Sequence, residues 1–153
     1  MTYEDIFKLT YANGFIPTMK QFAEALGKDK LIDMLKDASS KIRIKEVAEL
    51  ARKVPKHDLQ TWLADFRKPD SFLQHVITFQ FVEDTPQTIE LKVTECLWAK
   101  IFRETYAADI GYAALCYGDY AAVPAFNPKI KYTMTQTLMQ GQSFCNPRYV
   151  LEA

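Results

Sequence analysis

The sequence has only five glycines, and they form neither a GxGxxG motif nor a phosphate-binding loop, so the common nucleotide sites are absent. Its 19 basic and 19 acidic side chains balance, which removes the electrostatic attraction that nucleic-acid binding requires. No apolar run approaches the ~18 residues that a membrane helix needs, and the N-terminus lacks a signal-peptide layout. These absences predict a cytoplasmic protein that binds neither nucleic acid nor membrane.

Cysteine and histidine are also scarce. The three cysteines, Cys96, Cys116 and Cys145, are far apart, and their odd number fits reduced thiols better than a disulfide framework. No CxxC or HExxH spacing is present, and the two histidines, His57 and His75, stand in no known catalytic arrangement. We therefore expect no metal and no cofactor, although convergence of the cysteines on a metal over long range stays open.

What is present is enough apolar sequence for a core. With 153 residues and 48% hydrophobic side chains, residues 1–153 are expected to form one domain. Residues 1–70 have the spacing of helices, and a stripe from Leu31 to Ile42 can extend until Pro55 stops it. The pair Ser39-Ser40 is the weak point of that stripe, so the sequence is compatible with one long helix or two.

Residues 71–153 change to an alternating pattern. The runs 75–82 and 88–94 flank a short turn and predict a β-hairpin with Ile89, Leu91 and Val93 facing inward. Helical segments follow at 95–106 and 109–126, and two more alternating runs, 129–138 and 144–151, predict a second hairpin around Gly141. The expected fold class is α+β: N-terminal helices followed by a β-β-α-α-β-β unit with an antiparallel sheet.

Cys145 is the first candidate for chemistry. A second hairpin symmetric about Gly141 would place Thr137 opposite Cys145, with Arg148 on the other face. A thiolate nucleophile needs a neighbouring cation or a helix N-terminus to lower its pKa, and Arg148 is the cation nearest in sequence. The alternative is a small buried side chain that packs the sheet, as free cysteine often does.

Two further positions combine polarity with unusual surroundings. Cys96 is expected at the N-terminus of a helix, where the macrodipole favours a thiolate, although Glu95 opposes that effect. Asp119 shares a helix face with Cys116 and stands among apolar neighbours, so its carboxylate needs donors or a cationic ligand. Either residue could instead be structural. Cys96 could fill the corner between a strand and a helix, and Asp119 could face solvent or cap a helix.

Several phrases in the second half resemble one known family. They are Cys96-Leu-Trp98-Ala, Cys116-Tyr-Gly-Asp119, Phe126-Asn127-Pro128-Lys129, and Thr137 followed by Gly141-x-x-x-Cys145-x-x-Arg148-Tyr149. In order and spacing they resemble the L-2-amino-thiazoline-4-carboxylic acid hydrolase family, over most of the chain but specifically only from Cys96 onward. A weaker likeness is to 4-vinyl-reductase-type small-molecule-binding domains. The chain departs from the family at Gln142, where an acidic residue is usual, and at Pro147.

The resemblance implies hydrolysis of a cyclic isothiourea by addition of water across a carbon–nitrogen bond, giving carbamoyl-cysteine. The residues present can be matched to that chemistry. Asp119 suits the cationic nitrogens, and either Cys145 or Cys96 could attack the carbon, unless Asp119 activates water instead. Arg148 and Thr137 are candidates for the substrate carboxylate, and Asn127 for developing charge.

Two other classes of function remain open from sequence. One is a non-catalytic small-molecule-binding domain of the same fold that acts in sensing, and the other is a metal protein that uses the cysteines. For both the hydrolase and the sensing domain the expected partner is a small molecule, and a homo-oligomer is possible. The interpretation that we carry forward is a hydrolase acting on a non-peptide C–N bond.

Overall fold

The computed structural model describes all residues from Met1 to Ala153. An N-terminal group of helices is followed by two strands, a central helical segment and two more strands, which confirms the expected α+β class. The helices are α1 (Tyr3–Phe7), α2 (Ile16–Leu26), α3 (Lys28–Lys53), α4 (Leu59–Trp62), α5 (Ala64–Arg67), α6 (Leu73–Val76), α7 (Leu97–Glu104), α8 (Ala108–Gly111) and α9 (Asp119–Phe126). The strands are β1 (Ile77–Asp84), β2 (Thr88–Cys96), β3 (Ile130–Thr133) and β4 (Arg148–Leu151).

The α3 helix is a single element of 26 residues, so the stripe of apolar residues does not break at Ser39-Ser40. Gly27 precedes it with a positive φ of 89°, a conformation that glycine adopts without steric cost. Ser39 is buried, and its hydroxyl donates to the carbonyl oxygen of Ala113 at 2.9 Å. The serine that looked like a weak point therefore joins α3 to the central helical segment.

Two π-helical segments, Lys8–Phe15 and Tyr112–Cys116, interrupt the α-helical pattern. In the second one the N–H of Tyr117 donates to the carbonyl oxygen of Tyr112 at 2.9 Å, a bond that spans five residues. This segment links α8 to the start of α9 and determines the direction in which the residues after Cys116 project. Such local widenings of a helix are frequent at functional sites.

The first hairpin is confirmed. Strands β1 and β2 pair antiparallel, with Phe79 opposite Val93. The alternating pattern places Ile89, Leu91 and Val93 in the core with 7% exposure or less. Because successive side chains of a strand point to opposite faces, the sequence pattern alone determines this assignment.

The second hairpin is much shorter than predicted. Only four residues of β3 pair with β4, from Ile130 opposite Leu151 to Thr133 opposite Arg148, and the sheet order is β1-β2-β4-β3. Residues 134–147 form a loop instead of extended strands. The side-chain oxygen of Asn146 accepts the backbone N–H groups of Thr135 and Gln136, at 3.0 and 2.8 Å, and so replaces the strand-to-strand bonds.

The interior contains two hydrophobic clusters. The first, built around Phe7, Phe102 and Met139, joins the N-terminal helices to α7 and α8. The second, built around Leu59 and Val123, lies between the helices and the inner face of the sheet. No helix is both long enough and apolar enough to cross a membrane.

Candidate functional site

The site begins with a close approach between two helices. A Cβ atom on Gly118 would lie 2.8 Å from Cγ of Arg43 and 3.2 Å from the carbonyl oxygen of Ser39. The absence of a side chain at Gly118 therefore lets the start of α9 pack against α3. This approach brings Oδ1 of Asp119 to within 3.4 Å of Nη2 of Arg43, across 76 residues of sequence.

A cavity of about 790 Å³ opens beside this pair, between the N-terminal helices and the rest of the chain. Its volume is within the range of roughly 300–1,000 Å³ found for small-molecule pockets. Most of its lining is apolar and aromatic, and both tryptophans of the chain contribute to it. Its principal lining residues are Arg43, Trp62, Leu63, Trp98, Asp119 and Tyr149.

Asp119 is the carboxylate set deepest in this cavity. One third of its side chain is accessible, yet it is surrounded by protein, as expected of a group that water reaches only through a cavity. Burial raises the pKa of Asp119, and the neighbouring Arg43 opposes that shift. Asp119 is also the first residue of α9, where the helix N-terminus favours negative charge. The carboxylate is therefore a stronger base than an exposed aspartate but can still ionise.

A row of tyrosine rings lies near Asp119, and one of them, Tyr149, lines the cavity. The Tyr132 and Tyr149 rings are 5.1 Å apart, and the Tyr120 ring meets Tyr132 edge-on at the same separation. Burial raises the pKa of Tyr132 and Tyr149, and the negative charge of Asp119 raises both further. These phenols therefore stay protonated and uncharged at neutral pH.

The three cysteines converge in the structure, although they are far apart in sequence. All three pack against the same cluster around Phe102, and each is partly buried. Burial raises the pKa of Cys116, and the neighbouring Cys96, Asp119 and Cys145 raise it further. No three side chains drawn from histidine, cysteine, aspartate and glutamate lie together in a way that could hold a metal ion.

Cys145 pairs with β2 rather than with Thr137. Its backbone exchanges two hydrogen bonds of 2.9 Å with Val93, and its Sγ accepts the N–H of Leu138 at 3.2 Å. The predicted register about Gly141 is therefore wrong, because residues 134–147 fold as a loop. Burial raises the pKa of Cys145 and the Leu138 N–H lowers it, while Arg148 makes its contacts elsewhere.

Cys96 is placed as the sequence predicts, immediately before α7. Burial raises the pKa of its thiol more strongly than the N–H groups of Ala99 and Trp98 lower it. It lines a second cavity of about 860 Å³, on the side of the molecule that carries Glu4 and Lys100. Those two charged side chains pair with each other at 2.7 Å. Lys100 and Lys8 lower the pKa of Glu4, whereas burial raises the pKa of Asp119.

Thr137 and Gln142 close the loop that carries Cys145. Thr137 is 2% exposed, and its N–H donates to the side-chain oxygen of Gln142 at 2.7 Å. The Thr137 hydroxyl donates to Gln140, and its oxygen accepts the Gln140 N–H. Gln142 thus supplies the acceptor that an acidic side chain would supply at this position, so the departure from the family pattern preserves the loop.

Arg148 and Asn127 lie away from the Asp119 cavity. Arg148, on β4, pairs with Glu90 on the adjacent strand β2 and with Glu83 on β1. Asn127 donates to the carbonyl oxygen of His57 at 2.8 Å and accepts the N–H of Lys129, which fixes the connection after α9. Of the six residues singled out from sequence, the structure places Asp119 in the cavity.

Arg43 and Trp62 are the cavity residues that sequence reasoning missed. Both stand in helices whose local pattern resembles an ordinary amphipathic surface, and no short motif marks them. Trp98 had a signal, because it belongs to the Cys96-Leu-Trp98 phrase. The sequence does not show that Arg43 reaches Asp119, because the two residues meet only in the tertiary fold.

Comparisons with known proteins concern the family and the fold. A model of the L-2-amino-thiazoline-4-carboxylic acid hydrolase family matches residues 7–149. Among solved structures, the chain is similar to the phenol-responsive sensory domain of the transcription activator PoxR, solved with phenol, at a TM-score of 0.51 and 13% identity. That match covers 88% of this chain and 71% of the sensory domain, and it shows a shared fold. No curated protein matches the sequence.

Proposed function

Because the chain belongs to the L-2-amino-thiazoline-4-carboxylic acid hydrolase family, we propose that it binds a small cyclic amidine in the Asp119 cavity and hydrolyses it. The observation that carries this proposal is a single deeply set carboxylate in an aromatic cavity of suitable size. A carboxylate accepts the N–H groups of an amidinium well, and aromatic walls fit a flat ring.

In the proposed reaction Asp119 has two tasks. One carboxylate oxygen accepts an N–H of the ligand, and the other takes a proton from water as the water oxygen bonds to the amidine carbon. As water adds, the C–N double bond of the cationic amidine becomes single and the adduct carries a hydroxyl group. The hydroxyl then becomes the carbonyl of the product and releases its proton to solvent. The ring C–N bond breaks with its electron pair on nitrogen, and Asp119 returns the first proton to that nitrogen. One water is consumed overall. The raised pKa of Asp119 suits this role, since a general base works best with a pKa near the working pH.

Water is favoured over a thiol as the nucleophile. Attack by Cys145 or Cys96 requires a thiolate, whereas burial raises the pKa of both thiols. No positive charge lowers the pKa of either thiol, and Arg148 pairs with Glu83 and Glu90. The route through a cysteine is the alternative mechanism, and a variant at each cysteine tests it.

The direct test is to incubate the protein with L-2-amino-thiazoline-4-carboxylate and to follow carbamoyl-cysteine by mass spectrometry. We expect product from the wild type and from Cys145→Ala and Cys96→Ala, but not from Asp119→Asn. Loss of product in a folded cysteine variant, with retention in Asp119→Asn, would assign the nucleophile to the thiol. Absence of product from the folded wild type would reject the hydrolase proposal.

A second candidate function is binding without catalysis, in sensing. The shared fold with a phenol-responsive sensory domain and the aromatic lining of the cavity favour it. In this case phenol or the thiazoline should raise the melting temperature while no product forms. A ligand at a hundredfold excess over its Kd adds about 2.7 kcal/mol to the free energy of unfolding, which a thermal-shift measurement detects.

A further inference from the structure

The guanidinium of Arg43 is held loosely at the cavity. Its Nη2 lies 3.4 Å from Asp119, and its Nη1 lies 3.3 Å from Glu46. Charge-assisted hydrogen bonds between such groups are usually about 2.7–2.9 Å long. With five N–H donors and two long contacts, the guanidinium has capacity for a further acceptor.

The aliphatic part of the Arg43 side chain is fixed by packing, although its guanidinium is not. Cγ of Arg43 packs where a side chain on Gly118 would otherwise lie, at 2.8 Å from the position of a Cβ. One helical turn earlier, the hydroxyl of Ser39 ties α3 to the carbonyl oxygen of Ala113. Arg43 therefore stays at the cavity lining while its guanidinium can exchange partners.

The other cation that lines the cavity is already engaged. Lys68 pairs with Asp65 at 3.0 Å, and both side chains are more than 60% exposed. With Arg43, Glu46 and Asp119, the lining holds two cations and three carboxylates, a composition that favours a ligand with at least one positive charge. Among these groups, Arg43 is the cation that contacts Asp119.

These contacts define the ligand charges that the cavity can compensate. A ligand with a cation and an anion exchanges partners with the Arg43–Asp119 pair, so that all four charges stay matched. A purely cationic ligand takes Asp119 from Arg43 and leaves the guanidinium with its long contact to Glu46 alone. A purely anionic ligand leaves Asp119 without its cation, which is costly for a buried charge. Discrimination by unmatched charge is a common source of specificity.

We propose that Arg43 is the specificity-determining residue of the cavity, binding the carboxylate of a zwitterionic ligand while Asp119 binds its cationic nitrogens. This inference rests on the proposed function of the same cavity. It assigns to Arg43 the task for which the sequence had suggested Arg148 and Thr137. Two parallel N–H bonds from a guanidinium match a carboxylate, so lysine at this position is not equivalent.

The test compares two probes that differ by one group: L-2-amino-thiazoline-4-carboxylate and 2-amino-thiazoline, which lacks the carboxylate. Dissociation constants are measured by calorimetry for the wild type, Arg43→Gln and Arg43→Lys, with product checked by mass spectrometry. Lys41→Gln is the matched control, because Lys41 is an exposed cation on the same helix, paired with Asp37. Melting temperatures establish that each variant is folded.

We expect the wild type and Lys41→Gln to prefer the carboxylated probe by roughly 10- to 100-fold, the usual range for a hydrogen-bonded charge. Arg43→Gln should abolish this preference by weakening the carboxylated probe alone, and Arg43→Lys should restore part of it. Equal weakening of both probes in Arg43→Gln would overturn the inference, because Arg43 would then only position Asp119.

Failure of the cavity proposal gives a different result. If Asp119→Asn binds and turns over the carboxylated probe like the wild type, the Asp119 cavity is not the site. The proposed role of Arg43 is then rejected as well. If Asp119→Asn no longer binds the probe while Arg43→Gln keeps the full preference for the carboxylate, the cavity is the binding site but Arg43 does not determine its specificity.

Discussion

Two arginine–carboxylate pairs in this molecule have opposite geometries. Arg67 meets Asp84 with two hydrogen bonds, at 3.0 and 2.6 Å, and its guanidinium also lies over the ring of Phe81 at 4.3 Å. Arg43 meets Asp119 with one contact of 3.4 Å, beside a cavity of about 790 Å³. The surface pair is joined by two hydrogen bonds, and the cavity pair by one long contact.

The difference separates charges that hold the fold from charges that are available to a ligand. Arg67 joins α5 to the end of β1, so the pair connects two elements and needs no third partner. The Arg43–Asp119 pair leaves donors and acceptors unused where a small molecule can reach them. Polar groups of this kind are costly to the fold and are retained mainly at functional sites.

The largest expected effect is the loss of turnover when Asp119 is neutralised, compared with neutralisation of Asp84. Asp119→Asn removes the proposed base, and general-base catalysis contributes typically 10²- to 10⁴-fold, so turnover should fall by at least ~100-fold. Asp84→Asn is the matched control and should leave turnover unchanged. Initial rates from mass spectrometry check both, and equal rates for the two variants would remove the functional distinction between the pairs.

The next effect concerns the helix approach that creates the cavity pair. Gly118→Ala places a methyl group 2.8 Å from Arg43 and 3.2 Å from the Ser39 carbonyl, so the helices must separate at a cost of about 1–3 kcal/mol. Gly14→Ala makes only an ordinary van der Waals contact, at 3.7 Å from the carbonyl oxygen of Leu9, and should be neutral or stabilising. Urea denaturation measures both free energies of unfolding. An unchanged value for Gly118→Ala would show that the approach is not tight.

The pH dependence of stability should have opposite signs at the two pairs. Burial raises the folded-state pKa of Asp119, so its contribution to stability is present below the unfolded-state pKa of roughly 3.9 and is lost as pH rises through the folded-state value. Arg67 lowers the pKa of Asp84, whose contribution is present above the unfolded-state pKa and lost as pH falls. From pH ~4 upward, wild type should therefore lose stability relative to Asp119→Asn. Below that pH it should lose stability relative to Asp84→Asn. Denaturation curves across pH test this, and parallel curves would contradict it.

The smallest expected effect is on Arg67. Exposed ion pairs contribute little and are screened by salt. Arg67→Gln should lower the melting temperature slightly at low salt, with the difference from wild type shrinking at high salt, and turnover should not change. A loss of turnover in this variant would show that the surface pair also serves the cavity.

Local patterns in the sequence were sufficient for much of the fold. The two-residue alternation of Ile89, Leu91 and Val93 predicts the first hairpin and its inner face, because a strand repeats every two residues. The long α3 helix follows from its apolar stripe, although its continuity at Ser39 depends on a bond to Ala113, which is distant in sequence.

The remainder depended on contacts that no local pattern contains. The second hairpin failed as a prediction because the Asn146 side chain takes two backbone N–H groups and because Cys145 pairs with Val93. Asp119 could be singled out, since a carboxylate among apolar residues needs a partner. Its partner Arg43 could not be identified, because their contact depends on a close approach at Gly118 between helices far apart in the chain.

Both tryptophans of this chain, Trp62 and Trp98, line the same cavity. The Trp62 ring packs at a tilt against Phe126, 5.1 Å away, and the Trp98 indole donates to the Tyr11 hydroxyl at 3.1 Å, so the two rings are held by different neighbours. Intrinsic fluorescence excited at the red edge of the spectrum therefore originates wholly from the cavity walls. The unlabelled protein is consequently its own optical probe, in which entry of a ligand changes emission without any introduced dye.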